Sequence, residues 1–391
     1  MQPLCCLIGT RAQFIKMAPV LLELEARNIP YRLLMSGQHS LTMDRLQDEF
    51  SLSTTAIWLY QGREVSSLAM VLPWAVSCLW RLLRNSQYLP DGTPLLLTHG
   101  DTFSTLLSAL VGRLRKIPVA HVESGLRSFR WWHPFPEELT RRCVFHLARI
   151  AFCQDEQACD NLAALEKLRK INTGGNTLID ALHLALKKAD ANTGSLAKAE
   201  SMPDTVAESE TEGNVVNSTE PQQYALVSLH RFENIFFRRR LSKIIDLLEV
   251  AARHSTLLFV LHPATEKNLH RFGLIRRLQN NGQIKLVPRL SYIPFVRLLQ
   301  QARFVITDGG GNQEELSYLQ IPTLLMRVTT ERQEGLGATA FICNYDLARL
   351  QAFLRQLPPA NVGKLKPLAV SPSKEIVDAI EQVVGYPKAI A

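Results

Sequence analysis

The chain has 391 residues, 46% of them hydrophobic, which excludes a disordered tail or a short disulfide-stapled module and leaves room for two packed domains of roughly 100–200 residues each. Its formal net charge of +8 favours anionic partners, though charge alone does not choose among nucleic acid, acidic lipid and sugar nucleotides. Seven cysteines (5, 6, 78, 143, 153, 159 and 343) are odd in number and hold no Cys-x-x-Cys pair, so neither a disulfide framework nor a metal site is expected. No apolar run of about 18 residues spans a bilayer, and Met1–Cys6 lacks the charged start and cleavage site of a signal peptide; the cytoplasm is the expected compartment.

In chain order the apolar runs Leu4–Ile8, Tyr31–Met35, Leu95–Thr98, Ile117–Val122 and Ile150–Cys153 read as strands, each followed by a helical pattern. A polar, acidic stretch, Ala191–Gln223, interrupts them. The same grammar then returns in Tyr224–Leu229, Leu257–Leu261, Ile284–Val287, Phe304–Thr307 and Thr323–Met326. Alternating βα units imply an α/β protein of two Rossmann-like, doubly wound domains. The expected division is 1–185, an acidic flexible linker over 186–223, and 224–373, with a final helix over 374–391 as a candidate to complete the first domain. Two such domains would face a cleft at their carboxyl strand ends, the default active site.

The charged motifs fall at those strand ends. Gly9-Thr10-Arg11 delivers Arg11 and, a turn later, Lys16, both suited to a diphosphate, although a plain βα turn with solvated cations would look the same. Asp101 and Glu123 follow neighbouring strands, and Glu137 follows Pro134-Phe135-Pro136. Carboxylates in different surroundings can divide acid and base roles, while one of Glu137 and Glu138 is expected to serve only the helix start. His230-Arg231 and His262-Pro263 end two further strands, so both histidines are expected at the cleft. Thr307-Asp308-Gly309-Gly310-Gly311 precedes a helical pattern, so its glycines and the helix N-terminus suit phosphate, with Glu315 placed to accept from ribose hydroxyls. It lacks both Gly-x-Gly-x-x-Gly and Gly-Lys-Ser/Thr, which favours a mononucleotide diphosphate.

This ordered series resembles the non-hydrolysing UDP-N-acetylglucosamine 2-epimerase family, of glycosyltransferase-B architecture. It comprises Gly9-Thr10-Arg11, Ser36-Gly37-Gln38-His39, His99-Gly100-Asp101-Thr102, His121-Val122-Glu123-Ser124-Gly125-Leu126-Arg127, Pro134-Phe135-Pro136-Glu137-Glu138, Gly175-Asn176-Thr177-Leu178-Ile179-Asp180, His230-Arg231, Gly310-Gly311 with Gln313-Glu314-Glu315, and Thr329-Thr330-Glu331-Arg332. The resemblance implies interconversion of UDP-N-acetylglucosamine and UDP-N-acetylmannosamine, without cofactor or metal, for surface polysaccharide. UDP is eliminated across C1–C2 and added back after protonation of the opposite face. It further implies Asp101, Glu123, Glu137 and His230 as catalytic positions. Asp101 and Glu137 would handle the C2 proton, Glu123 would orient the sugar, and His230 would support diphosphate departure. Arg11, Lys16, Gln38, His39, Arg127, Arg231, His262, Gly310, Gly311, Glu315 and Arg332 are implied to bind the UDP-sugar, with Tyr292 and Phe295 near the uracil.

Five departures from the family pattern stand out. Ala12-Gln13 replace Pro-Glu and so lose a carboxylate near the diphosphate. Gly309 replaces a serine, Val328 an aspartate and Phe232 a second arginine, and the Asn-Pro-Tyr-Gly-Asp-Gly segment is missing. Two other readings keep the fold: a hydrolysing epimerase, and a glycosyltransferase with a lipid-linked or glycan acceptor. Trp131-Trp132, Trp74, Trp80 and Phe236–Arg240 are the candidate acceptor or peripheral membrane contacts; ordinary domain or dimer packing is the plainer account of the same aromatics. A homodimer is expected, and nucleic acid is not.

Overall fold

The computed structural model describes residues 2–37, 43–62, 68–129, 135–199, 224–330, 332–358, 363–367 and 369–385. Among them are two all-parallel sheets, each wrapped by helices. The first contains β1 Leu4–Ile8, β2 Tyr31–Met35, β3 Ile57–Trp58, β4 Leu96–His99, β5 Val119–Ser124, β6 Ile150–Cys153 and β7 Arg169–Asn172, in the order β3-β2-β1-β4-β5-β6-β7. The second contains β8 Tyr224–Leu229, β9 Thr256–Leu261, β10 Ile284–Val287, β11 Phe304–Thr307, β12 Thr323–Leu325 and β13 Ala340–Ile342, in the order β10-β9-β8-β11-β12-β13. Central strands such as β1, Leu-Cys-Cys-Leu-Ile, are buried at every position, because helices cover both faces of a parallel sheet.

Strand order reverses between β1 and β4 in one sheet and between β8 and β11 in the other. Loops leaving adjacent strands diverge there and open a crevice at their carboxyl ends. The loops at those points are Gly9-Thr10-Arg11 and Gly100-Asp101, and His230-Arg231 and Asp308-Gly309.

Several sequence expectations shift. Strand β5 runs Val119–Ser124 rather than Ile117–Val122, because Pro118 has no N–H to donate and the ladder begins after it. Three edge strands, β3, β7 and β13, were not read from the sequence: β3 and β13 are only two and three residues long, and β7 is Arg-Lys-Ile-Asn. Residues 186–199, expected to be irregular linker, form the second half of the helix Leu178–Ala199; the remainder, 200–223, lies outside the described residues.

Contacts divide the chain into one unit of Met1–Leu184 with Leu368–Ala391 and a second of Ala185–Pro367. In the first unit the late helix Pro372–Val384 is tied by Asp180 Oδ2, which accepts the Ser373 N–H at 2.8 Å, and by Arg27, which pairs with Asp378 and, at 3.0 Å, with Glu381. The first unit's core gathers Leu7, Trp74, Leu96 and Val119. The second unit's gathers Leu248, Phe259, Phe304 and Ile306.

Candidate active site

In the first unit the turn after β1 is set by close approach. A Cβ on Gly9 would stand 1.9 Å from Ser104 Oγ, so only glycine lets the helix Phe103–Arg115 pack there. Thr10 then caps the helix Arg11–Ala26. Gln13 accepts the N–H groups of Gly9 (2.9 Å) and Thr10 (3.2 Å) through Oε1. Its Nε2 donates to Thr102 Oγ1 (3.0 Å), Thr105 Oγ1 (2.9 Å) and the His99 carbonyl. The residue read from sequence as a lost carboxylate is thus a two-way amide joining the loops after β1 and β4. A carboxylate could accept there but not donate.

Glu123 sits in a break of the β5–β6 register, with φ +60. A side chain held in the left-handed region costs roughly 1–3 kcal/mol, and such strain gathers at functional sites because the surroundings over-determine it. Here the surroundings are Lys16 Nζ, which pairs with Glu123 Oε2, Asn176 Nδ2 at 2.8 Å and His99 Nε2 at 3.4 Å. Lys16, expected at a diphosphate, is nearly buried and pairs with this carboxylate. Arg11 opens the same helix and is half-buried.

Asp101 Oδ2 accepts from Arg141 Nη2 at 2.5 Å. Arg141 stands on the helix Glu137–Leu147, and its Nη1 lies 3.7 Å from Glu138 Oε2. Glu138 is fully buried and accepts Arg127 Nε at 2.7 Å and the Ser128 N–H at 3.0 Å, so Arg127 is bound within the protein through this carboxylate. Glu137 differs from its neighbour: its Oε2 is buried yet has no hydrogen-bond partner among the described residues. His121 is wholly buried, and that burial pushes its pKa down to about 4. The neutral ring places Nε2 2.7 Å from the Gly100 carbonyl, steadying the turn that carries Asp101.

In the second unit the helix Gly310–Tyr318 follows β11, and Gly309 offers no side chain to cap it. N–H groups of an uncapped first turn collect anions, and space beside Gly311 is open. Asp308, fully buried, accepts the N–H groups of His230 (3.0 Å) and Arg231 (3.1 Å) and Asn234 Nδ2 (2.9 Å). His230 and His262 stand with ring centroids 5.8 Å apart. Arg332 Nη1 donates to buried Glu314 Oε2 at 2.9 Å, while Glu315 is 7% exposed on the same helix. Tyr292 is buried and Phe295 half-buried on the helix Tyr292–Gln301. Val328 and Phe232, two of the departures, are exposed.

Gln38, His39, Glu331 and the Trp131-Trp132 pair lie outside the described residues. Sequence reasoning missed Gln13, His121, Arg141, Asn176, Asn234 and Asp308 as bonding partners of the site. Only Arg141 had a local signal, four residues after Glu137 and three after Glu138 on one helix face. Among the described residues no group of His, Cys, Asp and Glu is placed to hold a metal ion, and no helix is long and apolar enough to cross a membrane.

A family profile described as UDP-N-acetylglucosamine 2-epimerase matches residues 22–366. The UDP-N-acetylglucosamine 2-epimerase of Methanocaldococcus jannaschii is 32% identical over 350 residues, 87% of this chain and 87% of that protein. The enzyme of that name from Neisseria meningitidis serogroup A is 29% identical over 384 residues, 97% of this chain and 90% of the other. The crystal structure of the M. jannaschii enzyme in complex with UDP-GlcNAc and UDP superposes with a TM-score of 0.76 at 27% identity, covering 97% of this chain and 99% of that one.

Proposed function

Because the chain belongs to the UDP-N-acetylglucosamine 2-epimerase family, we propose that it interconverts UDP-N-acetylglucosamine and UDP-N-acetylmannosamine by eliminating UDP and adding it back. The C2 hydrogen of the sugar is not next to a carbonyl and is too weakly acidic for simple deprotonation. Loss of the C2 proton is therefore coupled to breaking of the C1–O bond. UDP departs and 2-acetamidoglucal stays bound. A proton delivered to the other face of C2 and return of the UDP oxygen to C1 complete the epimerisation, with no net oxidation or reduction.

The observation that carries this reading is the difference between the acids of the first unit. Asp101 faces Arg141, Glu123 faces Lys16, and Glu137 Oε2 has no hydrogen-bond partner among the described residues. Different surroundings let one carboxyl give a proton while another takes one. In our assignment Glu137 and Asp101 act on opposite faces of C2, Glu123 orients the sugar, and His230 supports the departing diphosphate. Arg11, Arg231, Arg332, Gly310, Gly311 and Glu315 hold UDP. Proton and phosphorus NMR in deuterated water, with UDP-N-acetylglucosamine and no acceptor, tests it. Deuterium at C2 with a UDP-N-acetylmannosamine signal is expected. Free N-acetylmannosamine would make the protein the hydrolysing type, and an unchanged substrate would remove the reading.

We also propose a homodimer formed by the first unit. Leu72, Val76 and Trp80 are spaced four apart on the helix Leu68–Arg84 and are 70%, 57% and 66% exposed. Leu110 and Leu114 continue an apolar face on the adjoining helix Phe103–Arg115. A contiguous apolar face of this kind, pairing with itself across a two-fold axis, is what a second copy would cover. Light scattering is expected to give twice the 44.0 kDa chain mass for the native protein, and the chain mass for a Trp80→Glu, Leu114→Glu variant. A native monomer would refute it.

A further inference from the structure

Asn176 is buried in the loop between the edge strand β7 and the helix Leu178–Ala199. Its partners settle which way the amide points. Oδ1 accepts the Leu178 N–H at 3.0 Å, which turns Nδ2 toward two acceptors, Glu123 Oε2 at 2.8 Å and Gln154 Oε1 at 3.2 Å. A flipped amide would set oxygen against oxygen at Glu123 and take the acceptor from Leu178.

The loop that carries this amide is itself fastened. The Thr173 hydroxyl reaches the Gly175 carbonyl at 2.8 Å, and Asp180, one turn beyond Asn176, accepts the Ser373 N–H from the late helix Pro372–Val384. Val122, Phe152 and Ile376 line the space beside Glu123 and Asn176, and a hydrogen bond to a charged group gains strength in apolar surroundings. Lys16 reaches the same Oε2, but an ammonium on a flexible stem with rotatable donors supplies charge more than direction.

We propose that Asn176 is a positioning residue for Glu123. Lys16 brings the opposite charge, and the Asn176 amide, locked by the start of its helix, fixes where the carboxylate oxygen stands. The inference rests on the role given to Glu123 in the proposed function.

Asn176→Ser and Asn176→Asp test it together, because serine and aspartate can both make the turn that starts the helix and neither offers Glu123 an amide donor. The serine hydroxyl is too short to reach Glu123, so kcat is expected to fall about 10- to 100-fold both at about pH 6 and at about pH 8, the cost of a misplaced orienting group. In Asn176→Asp two carboxyls share one buried site, where like charges favour keeping a proton between them. That proton restores a donor, so kcat is expected to lie about 10- to 100-fold below native at about pH 8 and within about threefold of it at about pH 6. Lys16 on the helix Arg11–Ala26, His99 at the end of β4 and His121 on β5, near enough to feel the charge of Glu123, are common to native and variant, so the ratio of the two rates isolates the new carboxyl. A native kcat in Asn176→Ser, or a loss in Asn176→Asp that is the same at both pH values, overturns the proposal. Should the native protein show no C2 exchange at all, the proposed function fails on its own. The carbon-13 signal of the Glu123 carboxyl, assigned by its loss in Glu123→Gln, then decides the inference: it is expected to move in Asn176→Ser, and a signal that stays in place overturns it.

Discussion

Glu137→Gln is expected to slow C2 proton exchange by about 100- to 10,000-fold, the range that a positioned proton-transfer group supplies, while UDP affinity is retained. Glutamine copies the size of glutamate but cannot take or deliver the proton. The substitution is clean because Glu137 Oε2 has no hydrogen-bond partner among the described residues, so the change removes a function without breaking a bond seen there. Asp101→Asn makes a less selective probe, since it also loosens Arg141. Deuterium wash-in at C2, measured beside calorimetric binding of UDP, separates chemistry from binding. Exchange at the native rate would take Glu137 out of the reaction.

Glu138→Ala is expected to act on the fold instead, costing about 3–5 kcal/mol of stability. Removing a buried carboxylate strips the partner from Arg127 and Ser128 and weakens the support under Arg141. Arg127 and Ser128 then lose this acceptor in a place that water reaches poorly, while Arg141 keeps Asp101. Glu138→Gln still accepts one hydrogen bond and is expected to lose less. Urea denaturation followed by fluorescence reads both, and a loss below about 1 kcal/mol in the alanine variant would show that Arg127 finds another partner. Two adjacent glutamates therefore answer the same kind of mutation in different currencies, one in rate and one in stability.

What could be read from the sequence follows from what is local. A parallel strand buried on both faces is a continuous apolar run, so β1, β2, β6, β8 and β11 were legible with their bounds, as was the edge strand β10, Ile-Lys-Leu-Val. The other edge strands escape this rule. Strand β7 is Arg-Lys-Ile-Asn, and β3 is two residues long, because an edge has one neighbour and little burial to enforce a pattern. Polarity misled in the other direction at 186–199, where alanine, leucine and lysine are good helix formers and Leu186 and Ala189 are buried. Strand ends announced where the charged groups would gather, but not which would pair. Lys16 and Glu123 lie 107 positions apart, and His230 and Asp308 lie 78 apart. No periodicity reports a partner at that separation, so the pairing of Lys16 with Glu123 went unread and Asp308 was given no role.

The helix Pro372–Val384 belongs to the unit that began the chain, and all of Ala185–Pro367 lies between its two parts. On the ribosome this makes the first unit the last to be finished. At roughly 5–20 residues per second, the nascent first unit waits on the order of ten seconds or more for its closing helix. Until then Asp180 has no Ser373 N–H to accept, and Arg27 has neither Asp378 nor Glu381. The second unit, continuous in sequence, is free to fold during that interval. A stop codon placed just before Pro372 would thus spare the later unit and cripple the earlier one, the reverse of what the order of the sequence suggests.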